Sequence, residues 1–303
     1  MKIRVAATVC FVATALASAP AFAAPRYSEW SAPSNLGAVI NSSSDDSGPA
    51  LSKDGLSLYF TSTRPGFGGE DIWVSQRANT EAPWGAPANL GAVINTAAND
   101  RVPNFSRDGH WMFFSSNRAG GIGGFDIWAS WRPFVHDDFG WQTPVNLGPG
   151  INTSLIDTGP SYFEPEEGAA ILYFARNRLG NLFDFDIYAS KRQADGSWGS
   201  ASPVAELNSP ANDARPAVRH DGLEIIFHSF RTGDFDLYVA TRNSTADAWS
   251  GVTNLAAVNG PFLDAQPAIS SDRETLFFTS GRPGGSGGGD LYMTTRTKVT
   301  GKP

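Results

Sequence analysis

Residues 49–73 read PALSKDGLSLYFTSTRPGFGGEDIW, and the fold follows from how this stretch is read. Leu56, Leu58 and Phe60 alternate with Tyr59, and after a glycine-rich segment Ile72 and Val74 alternate with Trp73. A strand with one wet face alternates apolar with polar residues, so these two strands are expected to be covered on both faces. Asp54-Gly55 ahead of the first strand is a hairpin turn signal.

The stretch recurs. Its glycine-loop part returns as SSNRAGGIGGFDIW at Ser115, ARNRLGNLFDFDIY at Ala175, HSFRTGDFDLY at His228 and TSGRPGGSGGGDLY at Thr279. A second motif keeps step: WSAPSNLGAVIN from Trp30, WGAPANLGAVIN from Trp84, WQTPVNLGPGIN from Trp141, WGSASPVAELN from Trp198 and WSGVTNLAAVN from Trp249. Pro49, Pro103, Pro160, Pro216 and Pro267 open successive units at steps of 54, 57, 56 and 51 residues. A strand-rich period just above 50 residues indicates a propeller. Each unit supplies four strands, and doubly covered strands are what blades need when each is sandwiched between two neighbours.

The expected architecture is all-β, a five-bladed propeller of four-stranded antiparallel blades. Blade 1 spans about residues 46–90, blade 2 about 100–147, blade 3 about 157–207, blade 4 about 213–255 and blade 5 about 264–297. The fifth unit ends without its fourth strand, while a spare strand stands at residues 30–36; that strand is expected to complete blade 5 and leave no open edge.

Residues 1–23 read as a signal peptide, with Lys2 and Arg4 before an apolar run and Ala21-Phe22-Ala23 as the cleavage signal. An exported protein, periplasmic or extracellular, is expected, with residues 24–303 as one domain. Cys10 is the one cysteine and would leave with the leader, so neither disulfides nor a thiol nucleophile is expected. The formal charge of -7, with no basic run, argues against nucleic acid and anionic membrane as partners, and no stretch is long and apolar enough to span a bilayer. A monomer is expected.

The run P-A-L-S-K-D-G-x-S-L-Y-F-T-S-x-R followed by D-I-W resembles the WD-like propeller repeat of TolB-type proteins, over nearly all of residues 30–297. The resemblance implies the fold. It departs from TolB itself, which has six blades and a further N-terminal domain, and a Tol-Pal role does not carry over.

Seen once, the loop between Arg64 and Asp71 suggests a phosphate cradle with a catalytic pair. Such cradles end in a helix N-terminus, and this loop ends in a strand. Seen five times, Arg64/Asp71, Arg118/Asp126, Arg178/Asp186, Arg231/Asp236 and Arg282/Asp290 are expected to be structural clamps, each a bidentate pair across its loop. A second acidic set, Asp46, Asp100, Asp157, Asp213 and Asp264, precedes each innermost strand and should ring the axis. Hydrogen bonds from loop amides or a repeated Arg would neutralise it; a Ca²⁺ site is the alternative, and no other cofactor is expected.

Function is sought where the repeats disagree. Arg101 and Arg215, with Asp100 and Asp213 beside them, Arg176, His228, Asp184, Asp234 and Glu70 are the candidates for ligand binding. The arginines would take an anionic group such as a sugar acid, with His228 as a proton carrier near neutral pH. Neither a G-x-S-x-G elbow nor an HExxH motif is present. The main reading is an exported binding or interaction module presenting its loop-rich face to a glycan, peptide or protein partner in the cell envelope. The alternative is a carbohydrate-active enzyme, a glycoside hydrolase or polysaccharide lyase, with its site at the axial end. Asymmetry separates them: an enzyme should gather residues unique to single blades.

Overall fold

The computed structural model describes residues 27–181 and 184–299; the leader read at residues 1–23 lies outside the described residues. Twenty strands form five four-stranded antiparallel sheets. Blade 1 holds β2 (Asp46–Leu51), β3 (Ser57–Ser62), β4 (Asp71–Gln76) and β5 (Ala88–Asn89). Blade 2 holds β6 (Asp100–Phe105), β7 (Trp111–Ser116), β8 (Asp126–Trp131) and β9 (Val145–Asn146). Blade 3 holds β10 (Asp157–Phe163), β11 (Ile171–Asn177), β12 (Phe185–Lys191) and β13 (Ser202–Pro203). Blade 4 holds β14 (Asp213–Val218), β15 (Glu224–Ser229), β16 (Asp236–Thr241) and β17 (Ser250–Asn254). Blade 5 holds β18 (Asp264–Ile269), β19 (Thr275–Ser280) and β20 (Asp290–Thr295), completed by β1 (Ser34–Asn35) through Ser34 opposite Met293. None of the described elements is a helix, and so none is long and apolar enough to cross a membrane.

The double coverage read from the alternations is met: β3 and β15 are buried at every position. The apolar side chains pack between blades rather than under one sheet. Tyr59, Ile72 and Val74 of blade 1 meet Met112, Phe114 and Trp128 of blade 2, and Leu58 and Phe60 meet Phe277 and Leu291 of blade 5. Phe60, Phe114, Phe174, Phe227 and Phe278 occupy equivalent places with no exposed surface. Each contributes about 1.5–3 kcal/mol by leaving water.

Two features differ from the sequence reading. Where Trp84 to Leu90 reads as a strand, pairing is limited to Ala88 and Asn89, because Pro87 cannot donate to a ladder. Trp84 instead lies under a guanidinium, and this repeats: Arg77 on Trp84 at 4.3 Å, Arg132 on Trp141 at 4.4 Å, Arg192 on Trp198 at 5.2 Å, Arg242 on Trp249 at 4.1 Å and Arg296 on Trp30 at 4.3 Å. Cation–π contacts of this kind contribute about 0.5–2 kcal/mol each. The signal was present as an Arg after every third strand.

Every innermost strand carries a bulge, and the bulged residues, Gly48, Val102, Gly159, Arg215 and Gln266, have φ of 55°, 55°, 64°, 54° and 55°. Their amides reach back to the preceding blade. Gly48 donates to Thr279 Oγ1 (3.1 Å), Val102 to Thr61 Oγ1 (2.9 Å), Gly159 to Ser115 Oγ (2.9 Å) and Gln266 to His228 Nδ1 (3.3 Å). At the seam between blades 3 and 4, Ala175 offers Arg215 no such acceptor. The bulges therefore both stitch the ring and aim the residue at position 48, 102, 159, 215 or 266 at the axis.

Candidate functional site at the axial channel

The loop-side end of the propeller carries the glycine loops between second and third strands and the loops leading into each blade. Its outer belt is made of arginine–aspartate pairs, but the partners differ from those expected. Arg64 binds Asp46 at 3.0 Å, Arg118 binds Asp100 at 2.6 Å, Arg231 binds Asp213 at 3.0 Å and Arg282 binds Asp264 at 2.9 Å. Asp71, Asp126, Asp236 and Asp290 are not their partners. Asp46 and Asp71 both lie opposite Ser62, one on each flank, so Arg64 has an acid within reach on either side. The glycine loop decides the outcome by occupying Asp71 first. Amides of Phe67 and Gly68 donate to the Asp71 carboxylate, as does Asn89 Nδ2 at 2.9 Å. A Cβ on Gly66 would fall 1.9 Å from Asp71 Oδ2, and one on Gly285 1.7 Å from Asp290 Oδ2. The loop does cradle an anion, and the anion is its own aspartate.

The five ring acids have fully buried side chains. Besides Arg64, Asp46 accepts from Ser42 N (2.7 Å) and Ser42 Oγ (3.0 Å); Asp100, Asp157 and Asp213 are held likewise by Thr96, Thr153 and Ser209. Burial lifts the pKa of Asp157 and Asp264 against the pull of their arginines and hydrogen bonds. Loop amides and a repeated arginine thus neutralise the ring. Among the described residues no group of three or more His, Cys, Asp or Glu is placed to hold a metal ion.

Blade 3 solves the same problem differently. Arg176, expected to bind ligand because it replaces a serine, is the clamp there, with Nε 2.6 Å from Asp157. Arg178 is thereby released for Asp186, the one pair that matches expectation, at 2.7 and 3.0 Å; it also holds Asp184 at 2.8 Å. Asp186 needs it: Pro203 stands where Asn89 and Asn146 donate in blades 1 and 2. Asp100, Asp213, Arg176 and Asp184 are therefore committed within the scaffold. Asp234, half-buried, accepts from Phe235 N at 2.7 Å and lies on the blade 4 loop.

Inside the belt the remaining candidates do converge. Arg101 donates to Glu70 Oε2 at 3.0 Å across the seam of blades 1 and 2, with its guanidinium 3.7 Å from the Phe125 ring centre. Arg215 donates to Thr158 Oγ1 at 3.0 Å, and Arg101 is near enough to lower its pKa. His228 lies 5.0 Å from the Phe235 ring. Burial first, then the charge of Arg101, offset by Glu70, brings Arg215 down to about 9. Burial first, then the charge of Arg215, brings His228 down to about 3. The expectation of a proton carrier near neutral pH is overturned: His228 is neutral, and its Nδ1 is an acceptor for Gln266 N.

Gln266, Thr158, Gly159 and Phe125 escaped the sequence reading. The signal for the first and third was the second residue after each ring acid, which reads Gly, Val, Gly, Arg, Gln around the ring. An open-mouthed pocket of about 110 Å³ is at the opposite, turn-side end, lined by Ala50, Asn104, Ser161, Ala217 and Ala268, and also by Lys53, Arg107, Glu164 and His220. The loop-side mouth instead holds the buried, mutually perturbed pair Arg215 and His228, the kind of grouping that marks a candidate site.

No protein-family model matches the chain, and no curated protein matches it in sequence. Solved structures match its fold. It is similar to an alpha-L-arabinofuranosidase from Lactobacillus brevis, at 14% identity and TM-score 0.61, over 89% of this chain and 97% of that one. It is similar to the native arabinanase of Bacillus subtilis, at 14% identity and TM-score 0.60, over 86% and 96%. TolB from Acinetobacter baumannii aligns at 16% identity and TM-score 0.51, over 86% of this chain and 56% of that one. These likenesses show the fold alone; the TolB resemblance is one of architecture.

Proposed function

We propose that the protein is an exported propeller that acts on carbohydrate at the loop-side mouth of its axial channel. One observation carries the reading. Within a ring whose recurring charges are all spoken for, groups found in single blades, Glu70, Arg101, Arg215, His228 and Gln266, meet at one axial mouth. That is the asymmetry expected of an enzyme rather than of a scaffold. The likeness to an arabinofuranosidase and an arabinanase supports it. In this reading Glu70 exchanges the proton at the glycosidic oxygen, and Arg101 and His228 orient the sugar.

A second reading, binding without turnover, is favoured by a specific observation. Glycoside hydrolysis uses two carboxylates about 5–10 Å apart. Glu70 reaches the mouth, whereas the ring acids are each held by an arginine and loop donors. A panel of neutral and acidic oligosaccharides, followed by product analysis and calorimetry, tests both. Product formation lost in Glu70→Gln, with sugar binding retained in calorimetry, is the expected outcome. Binding without product assigns the second reading, and neither binding nor product across the panel refutes the carbohydrate function.

A further inference from the structure

Arg215 is an expensive residue for the fold to keep. It sits at φ 54°, in the left-handed region where a side chain is strained, at a position that glycine fills in blades 1 and 3. Its side chain runs where Gly159 has none; a Cβ on Gly159 would lie 2.6 Å from Arg215 Cδ. The neighbouring blade has thus made room for a guanidinium that its own bulge does not require.

The charge there is not balanced. A guanidinium offers five N–H donors, and Arg215 places one on the neutral Thr158 hydroxyl, with no carboxylate in contact. Arg101 spends Nη1 on Glu70, and its buried Nε has no hydrogen-bond partner. Two cations thus share one anion in a channel walled by protein, where an uncompensated charge is costly. The Phe125 ring, 3.7 Å from the Arg101 guanidinium, fixes its plane. Because His228 Nδ1 accepts the Gln266 amide, the hydrogen of its neutral ring is on Nε2, a further donor.

We propose that Arg101 and Arg215 form an anion-reading pair, and that the saccharide taken at the mouth is an acidic one, a uronic acid whose carboxylate completes the charge balance. A carboxylate matches the planar fork, and one charge per sugar suits a site that is cationic by about one unit inside a chain of net charge -7. The proposal rests on the carbohydrate reading above.

The test is calorimetry on the leaderless protein with trigalacturonate, its neutral counterpart galactotriose, acetate and inorganic phosphate. Trigalacturonate should bind at least about tenfold more tightly than galactotriose, since a charge-assisted contact contributes about 1.5–3 kcal/mol. Arg215→Gln should bring the ratio near one, and Arg215→Lys should restore part of it. Equal binding of the two sugars, or an acidic preference unchanged in both Arg215→Gln and Arg101→Gln, overturns the anion-reading pair and leaves the carbohydrate function standing. If neither sugar binds but acetate or phosphate raises the melting temperature of the parent and not of Arg215→Gln, the anion site holds and the carbohydrate function falls. No response to any probe refutes both.

Discussion

Two sets of arginines share the loop-side end of this propeller and live by different rules. In the outer belt each guanidinium meets a fully buried aspartate of its own blade at 2.6–3.0 Å. At the axial mouth Arg101 and Arg215 reach across seams, to Glu70 of blade 1 and Thr158 of blade 3. The first set recurs and is neutralised; the second occurs singly and is not. Residue type is the same in both, so what separates scaffold from site is whether the charge is balanced inside its own repeat.

Unbalancing the belt should have the largest effect. Asp100→Asn leaves Arg118 as a largely buried cation without its anion, and should cost about 3–5 kcal/mol in urea unfolding. Loss of ligand binding or activity with full stability would instead make Asp100 part of the site.

Next in size is a pH effect at the mouth. His228, held at about 3, refuses a proton that the unfolded chain takes up near 6.5. Between those values the unfolded state binds more protons, so folding stability falls as pH drops from about 6.5 towards 3, by up to about 1.4 kcal/mol per pH unit for this one group. His228→Thr, which restores the residue of blades 1 and 5, should remove that part of the slope while leaving stability at pH 7 nearly unchanged. An identical acid profile in the variant would place the sensitivity elsewhere.

Blade 3 offers a smaller test. Arg178→Met removes a partly exposed guanidinium from Asp186, from Asp184 and from the carbonyls of Ser209, Pro210 and Ala211, and should cost about 1 kcal/mol. Adding Pro203→Asn supplies the amide that other blades use, and should recover part of the loss in the same denaturation series.

The smallest expected change is at Arg215. Arg215→Met should alter the melting temperature by less than the Arg178 variant does, or raise it, because it removes an unbalanced charge. A large destabilisation would assign Arg215 to the scaffold, with the arginines of the belt.

The repeat period, the double burial of Leu58 to Phe60 and the spare strand before residue 36 were legible because each is a pattern along the chain. The clamp partners were not. Asp46 and Asp71 are both one strand away from Ser62, and sequence does not say which acid the loop amides will already have occupied. Nor did spacing reveal that His228 would be enclosed, and it is burial first, then the charge of Arg215 on the neighbouring inner strand, that lowers its pKa. Not every non-recurring position belongs to the mouth, as Arg176 shows: a deviation can be a local repair. Its shift by two residues from the usual arginine position freed Arg178 to cover for Pro203.

The two-residue strand β1 carries a consequence for how the molecule is made. Ser34 and Asn35 pair with residues more than 250 positions downstream, so a ribosome releases the first piece of the ring long before its partner exists. Closing the ring requires the contacts most distant in sequence, and contacts of such separation form slowly. A circular permutant that joins residue 298 to residue 28 and opens the chain at the exposed turn around Glu81 would move the late step to another blade, with a predicted change in refolding rate and none in the final architecture.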